Sequence, residues 1–537
     1  MRLRRLRVTS SAMPGGLLDG ADIRLGRAGT VASNEHMEPL CLVGPNGSGK
    51  SQFLQLLAEI FQAAWNAHAR DEERTPANSA TLFELEYSIR PSPSADHVTV
   101  RLSRAGRGKR VGAIELHIQH EESWRPVEPG TEEFGQLLPP VIIGYTSGDN
   151  ETMSLPFLVS RSGYADDVAR AALSRGPSSA PADNRLLLID YGTNLEVLFA
   201  NLMLGRDVTR NAILAHARVE DLASCRCVVR LAHSKAPNAR AKAKKPGGRK
   251  GIQLTPELER ILDRLKRSAT CWSEDPKTET YVFDYFVDEA SRAAFSYFFE
   301  NAFDLYRSIH KLALLNDLVL PRASRTRLDR AVKERRFASR LPEPQQEEMV
   351  FGFEEVRFHP VRLGRHKEPV DYVALSDGEH QQALIFGIFA MIAEHNALFI
   401  LDEPESHFNP QWRVQFVKRL LDLPVERGDQ EVLLTSHAPF VPADMSREQV
   451  LIFSRNGNTI EVNQPEIETF GANFDRILEH CFEVRPPISQ MARDEIKELL
   501  ESDDIGALTA AMDRLGSSVE KSFLADHLRQ LKLKAGG

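Results

Sequence analysis

Leu40-Cys41-Leu42-Val43-Gly44-Pro45-Asn46-Gly47-Ser48-Gly49-Lys50-Ser51 is a short apolar run that breaks into a glycine-rich turn. Just downstream, Phe53, Leu54, Leu57, Ile60 and Phe61 recur at helical spacing, which predicts a helix over 51–64. Strand, glycine turn and helix in that order make a phosphate cradle. Glycines let backbone N–H groups close around phosphate oxygens, and the helix start adds its positive dipole end. Gly44-x-x-x-x-Gly49-Lys50-Ser51 meets the Walker A pattern in full, so Lys50 is expected to reach the β- and γ-phosphates and the Ser51 hydroxyl to hold Mg²⁺. A chance glycine turn would not require both flanks. The predicted ATP-binding segment is therefore Gly44, Pro45, Asn46, Gly47, Ser48, Gly49, Lys50, Ser51 and Gln52.

A second stretch, LSDGEHQQALIFGIFAMIAEHNALFILDEPESHFNP from Leu375 to Pro410, supplies carboxylates. Leu398-Phe399-Ile400-Leu401 reads as a buried strand ending in Asp402-Glu403, the Walker B form. Asp402 is expected in the Mg²⁺ shell, and Glu403 is expected to orient or deprotonate the attacking water. Alone, the pair would read as an acidic strand end before Pro404. Beside a complete Walker A it reads as catalytic. Ser376-Asp377-Gly378-Glu379 opens a helix with a capping-box pattern, and such a helix start can face phosphate.

With 537 residues the chain exceeds one ordinary core, so two or three substructures are expected. The net charge of -8 rules out global attraction to nucleic acid and leaves that role to local patches. The longest apolar run, Ala383 to Ala393, is short for a membrane span, and the basic, alternating start Met1 to Val8 reads as a strand rather than a signal peptide. A cytoplasmic location is expected. Cys41, Cys225, Cys227, Cys271 and Cys481 form neither a disulfide framework nor a zinc pattern.

Along the chain, Phe83 to Ile89, Val98 to Leu102 and Ile114 to Ile118 alternate apolar with polar residues, which predicts an antiparallel sheet with one wet face. Val141 to Tyr145 is a buried strand followed by the polar turn Thr146 to Glu151. From 155 to 350 the pattern reads as helical, with helices expected near 193–204, 207–223, 255–268, 287–316 and 326–338. Within it, 234–250 carries seven positive side chains and no acidic one. Four units follow: an N-terminal ATPase lobe (1–154), a helical insertion (155–350) with the basic loop 234–250, a C-terminal ATPase lobe (351–485) and a helical tail (486–537). Lys244, Lys245, Arg249, Lys250, Arg325, Arg327, Arg335 and Arg336 are candidates for phosphate-backbone contacts, weighed against a plain solvated surface.

Ser376 to Glu379 resembles the signature loop of the ABC ATPases, with Asp377 and Glu379 in place of a glycine and a glutamine. Thr435-Ser436-His437, after an apolar strand, resembles that family's switch segment, and His437 its γ-phosphate sensor. The resemblance implies a fold class: an α/β, ABC-type P-loop NTPase head of a mixed central sheet plus an antiparallel β lobe, here with a large α-helical insertion. It also implies a head-to-head dimer in which Ser376, Gly378 and Glu379 of one subunit close over ATP·Mg²⁺ held by the other. The segment 404–413 falls where the family has its D-loop. His407 and Asn409 there also suggest a nuclease motif, but its flanking hairpin is lacking. No clear Q-loop glutamine is found; Asp149, Asn150 or Glu151 stands in its place.

GPNGSGKSQFLQLLAEIFQ, IGYTSGDNE, ALSDGEHQ, LDEPESHFNPQWR and Thr469 to Phe474 together resemble the PtuA-like ATPases of Septu and retron antiphage systems, within the RecF/SMC/OLD branch. That resemblance implies an ATPase subunit with a small HNH nuclease partner, a retron reverse transcriptase with its RNA/DNA as a further partner, and nucleic acid as target. The alternatives are a RecF/SMC-like DNA clamp and an OLD-like nuclease, for which no Toprim carboxylates follow His437.

Overall fold

A computed structural model describes the chain except residues 14, 26–37, 70–79, 108–109, 149–150, 174–180, 191–192, 216–218, 234–248, 334–343, 362–367, 424–428, 486–487 and 536–537. Among the described residues, no helix is long and apolar enough to cross a membrane.

The protein is α/β. Its central sheet has seven strands in the order Leu186–Ile189, Ile142–Thr146, Leu398–Asp402, Glu431–Thr435, Leu40–Val43, Val450–Asn456 and Thr459–Asn463. The first six run parallel, and the last pairs antiparallel at the edge. The inner strands are buried on both faces, which is why they read as unbroken apolar runs rather than alternating ones. Their alternate residues feed two apolar clusters. Leu40, Leu42, Leu398, Ile400 and Leu433 face the helix Lys50–His68 and the N-terminal β lobe. Cys41, Val43, Phe399, Leu401, Val432 and Leu434 face the helices Asn194–Leu204 and Asp377–Met391.

The β lobe is a six-stranded antiparallel sheet, ordered Asp22–Arg24, Arg2–Ser10, Leu82–Ile89, Val98–Arg104, Glu115–His120, Ser123–Val127. One face is packed and the other carries ion pairs such as Arg7 with Glu84 and Arg101 with Glu86, as the alternation predicts.

The region 155–350 differs from the helical reading. Helices lie at Asn194–Leu204, Pro256–Ser268, Glu289–Phe298, Ala302–Ala313 and Arg322–Lys333, but the helix expected over 207–223 stops at Leu214. Val219–Arg230 is a strand, and with Thr280–Phe286, Cys271–Asp275, Phe351–Pro360 and Val370–Asp371 it builds a five-stranded antiparallel sheet. Leu186–Ile189 joins the edge of the central sheet. The physical reason is that a short apolar run such as Cys225 to Val229 has no period that separates strand from helix; long-range pairing with Phe351 to Arg357 decides it. The helix expected over 287–316 is two helices. It breaks where Asn301 leaves helical backbone and caps the second by accepting from Asp304 N. Near the end of the chain, Gln490–Leu500, Ile505–Arg514 and Val519–Ala535 gather around a separate small cluster of Leu508, Ala511, Leu524 and Leu528.

Candidate nucleotide site

Parallel strands deliver their C-terminal ends to one edge of a sheet, and in this chain three neighbouring strand ends meet there. Val43 leads into the loop 44–49, which turns through positive φ at Gly44, Gly47 and Gly49 (131°, 76° and 96°) before the helix Lys50–His68 begins. At Gly44 a side chain is also excluded by space, because an added Cβ would sit 2.2 Å from the Phe453 carbonyl oxygen. Lys50 is buried and donates from Nζ to the Gly44 and Pro45 carbonyls, at 2.9 and 3.0 Å. Burial lowers its ammonium to about 8 despite the nearby carboxylates of Asp402 and Glu403. Gln52 turns its Oε1 into a buried spot with no hydrogen-bond partner among the described residues.

Asp402 ends the strand two places away, with Glu431–Thr435 between. The Ser51 hydroxyl lies 3.3 Å from both Asp402 carboxylate oxygens. Thr435, at the end of the intervening strand, ties the pair together: its hydroxyl donates to Asp402 Oδ1 at 2.7 Å and accepts from Glu403 N at 3.0 Å. Nothing in the sequence singled Thr435 out for this role. A hydroxyl at the end of an apolar strand between the two motif strands is the signal that points to it.

Glu403 has φ of 49°, in the left-handed region that side chains disfavour by roughly 1–2 kcal/mol. That backbone turn ends the strand direction and brings Glu403 Oε1 to 3.2 Å from His437 Nε2. Burial first, and the Asp402 charge second, raise the Glu403 carboxyl, which suits a proton acceptor working nearer neutrality. Burial, with the Lys50 charge, lowers the His437 imidazole and keeps it neutral at pH 7. A hydroxyl and a carboxylate are hard oxygen donors, and a loop that turns through positive φ at three glycines can aim backbone N–H groups at phosphates, so these residues fit Mg²⁺ and a nucleoside triphosphate. Ser51 and Asp402 would hold the metal, which would supply positive charge to offset that of the phosphates.

Ser376, Gly378 and Glu379 form a second group. The Ser376 hydroxyl accepts from Glu379 N at 3.4 Å, while Glu379 Oε2 accepts from Ser376 N and from its hydroxyl, both at 2.8 Å, a complete capping box. Gly378 lies against the 404–409 turn, where an added Cβ would be 3.2 Å from the His407 carbonyl oxygen. Gln381, one turn along the helix, is buried; it donates to the Tyr145 hydroxyl at 2.7 Å and accepts from His407 N at 3.1 Å. Tyr145 sits opposite Leu401, so the helix start is strapped to the strand beside the one that ends in Asp402.

The remaining candidates divide. His407 Nε2 meets the Ser147 carbonyl at 2.9 Å, and Asn409 caps the helix Pro410–Leu421 by accepting from Trp412 N at 2.9 Å, so both have structural partners. Asp149 and Asn150 lie outside the described residues, and Glu151 opens the helix Glu151–Ala171. Lys244, Lys245, Arg335 and Arg336 also lie outside them. Arg249 forms an ion pair with Glu259 and donates to the Tyr281 hydroxyl at 3.1 Å, Lys250 Nζ donates to the Pro276 and Lys277 carbonyls, Arg325 meets Asp166 at 3.1 Å, and Arg327 is exposed.

A family model described as "AAA domain, putative AbiEii toxin, Type IV TA system" matches residues 237–444. This span includes the Ser376 turn, Asp402, Glu403 and His437 but not the phosphate loop, and it makes that part of the chain similar to an AAA-family ATPase domain. Protein ea59 of Escherichia phage lambda is 29% identical over 91 residues, which are 17% of this chain and 17% of the length of ea59. The crystal structure of an SmcHead bound to the C-winged helix domain of ScpA superposes with a TM-score of 0.32 at 11% identity, over 86% of this chain and 97% of that one.

Proposed function

We propose that this protein binds ATP·Mg²⁺ in the loop 44–51 and hydrolyses it, with Glu403 taking a proton from the attacking water. The observation that carries this is the convergence of Lys50, Ser51, Asp402, Thr435, Glu403 and His437 on one edge of the central sheet, although they come from three separate parts of the chain. Lys50 and Ser51 bind and orient the phosphates. Asp402, held by Thr435, fixes the metal side. Neutral His437 has one N–H to give, and from Nε2, 3.2 Å from Glu403 Oε1, it donates to the Glu403 carboxylate and orients it.

The Ser376 turn is an exposed, capped helix start able to receive phosphate, which supports a working unit of two heads, each closing over the other's nucleotide. The direct test is Glu403→Gln. Hydrolysis is expected to fall by about 10²–10⁴-fold while ATP binding persists and light scattering detects a stable nucleotide-bound dimer. A Glu403→Gln protein that turns over at the parental rate sinks the reading. Lys50→Ala is expected to abolish ATP binding, and mixing it with Ser376→Arg is expected to regain part of the activity through one intact composite site.

The finer reading is a cytoplasmic regulatory subunit that couples nucleotide state to a partner nuclease in antiphage defence. Its support is the resemblance carried by the motifs from Gly44 to Phe474. Coexpression with an HNH nuclease from a neighbouring reading frame tests it: a complex whose cleavage of nucleic acid responds to ATP is expected, and cleavage indifferent to Lys50→Ala counts against it.

A further inference from the structure

Glu405 lies two residues beyond the proposed base, fully enclosed at 2% exposure, and the site described above makes no use of it. Its Oε1 forms a short hydrogen bond with the Ser436 hydroxyl. Its Oε2 is buried with no hydrogen-bond partner among the described residues. Ser436 directly precedes His437, and its hydroxyl closes the turn around that histidine: Ala438 N donates to Ser436 Oγ at 3.1 Å, and the Ala438 carbonyl oxygen lies 3.1 Å from the same atom. The Ser436 backbone is anchored separately, donating to the Leu42 carbonyl at 3.1 Å in the strand that feeds the phosphate loop.

Counting protons decides the charge state. A serine hydroxyl has one proton to give. With Glu405 ionised, both its Oε1 and the Ala438 carbonyl would need that single proton, and the bare Oε2 would be a buried, unsolvated anion. With the proton on Glu405 Oε1, the carboxyl donates to Ser436 Oγ, Ser436 donates to the Ala438 carbonyl, and Ala438 N donates back to Ser436 Oγ. Every group in the turn is then satisfied. Oε2 becomes a neutral carbonyl oxygen, which costs far less to bury.

We infer that Glu405 is a positioning residue that works in its protonated form, locking the Ser436 to Ala438 turn and so holding His437 against Glu403. Burial pushes its carboxyl up to about 7, opposed by the Ser436 bond, by its own backbone N–H and by Arg413, with the Glu403 charge adding to the rise. Cys41 and Tyr145 are the other titratable groups that feel its charge, and burial holds both neutral. Loss of the proton above neutrality therefore loosens the turn while leaving Lys50, Ser51 and Asp402 in place.

The inference rests on the ATPase reading, so its test has one arm that needs no turnover. Infrared spectra of the full-length protein below pH 7 should contain the carbonyl stretch of a buried protonated carboxylic acid that Glu405→Gln removes; its absence from the parent overturns the inference. In steady-state hydrolysis, the parent kcat should decline as pH rises past about 7. Glu405→Gln, whose amide can donate to Ser436 as the protonated acid does, should keep the neutral-pH kcat and lose that alkaline decline. Glu405→Ala should hold kcat about tenfold below the neutral-pH parent value, without an alkaline decline of its own and with little change in KM for ATP. If Glu405→Ala fails to fold, Ser436→Ala serves as the loss variant, with the same expected drop. A Gln variant as impaired as the Ala variant, or one that retains the alkaline decline, overturns the proposal. If Glu403→Gln turns over at the parental rate, the ATPase reading fails by itself, and the infrared arm still decides the state of Glu405.

Discussion

The central parallel sheet and the five-stranded antiparallel sheet are both built from strands rich in Val, Leu and Phe, yet only the first gathers reactive side chains. Parallel strands end on the same edge, so Val43, Asp402 and Thr435 release their following residues into one space. In the antiparallel sheet the ends alternate. Two arginines of Val219–Arg230 are paired sideways instead, Arg226 with Asp284 and Arg230 with Glu354 on neighbouring strands. One sheet is arranged to present groups, the other to neutralise them.

Substitutions can break that division. The largest effect is expected from Asp402→Asn, which should reduce ATP turnover by about 10²–10³-fold, whereas Arg226→Ala should leave it within about twofold. Equal losses in a steady-state assay would erase the comparison. Next, Phe283, fully enclosed in the antiparallel sheet, should cost about 3–5 kcal/mol of stability when replaced by Ala. Thermal unfolding should reveal this while ATP affinity measured at low temperature stays at the parental value. Thr435→Val, nearly isosteric, removes the hydroxyl shared by Asp402 and Glu403 and should cost about 1–2 kcal/mol, read as roughly a tenfold fall in kcat with the melting temperature nearly unchanged.

A pH profile sharpens the same contrast. Glu403 must be ionised to accept a proton, and burial with the Asp402 charge raises its carboxyl above the ordinary glutamate range. Turnover should therefore fall on the acid side at a higher pH than an unperturbed glutamate would give. The smallest effect belongs to Arg249→Ala, which breaks the partly exposed pair with Glu259 and should cost about 1 kcal/mol or less by chemical denaturation, with no change in turnover.

The parts of the fold that were legible in the residues are those where local chemistry leaves few options. Leu40 to Ser51 could be little other than strand, loop and helix, because its glycines occupy backbone conformations other residues avoid. Leu398 to Asp402 and Glu431 to Thr435, buried on both faces, betray themselves as apolar runs. The strand Val219–Arg230 was not legible. Its partners, Thr280–Phe286 and Phe351–Pro360, lie far along the chain, and it follows a helix whose apolar spacing continues smoothly into it. Arg249 read as a free cation within a basic loop. Glu259, on a helix that packs beside it, is what makes it half of an ion pair.

What the sequence by itself determined is the inventory of the candidate site: a phosphate loop, a strand-end carboxylate pair, a capped helix start and a histidine after a strand, each written in consecutive residues because each depends on local backbone geometry. What only the tertiary structure decided is how these pieces are joined. Thr435 bridges Asp402 to Glu403 because its strand lies between those of the two motifs, Gln381 straps the Ser376 helix to Tyr145, and Glu405 closes the turn that carries His437. Those links connect residues tens to hundreds of positions apart, so they arise from strand order and burial, which no short stretch of chain encodes.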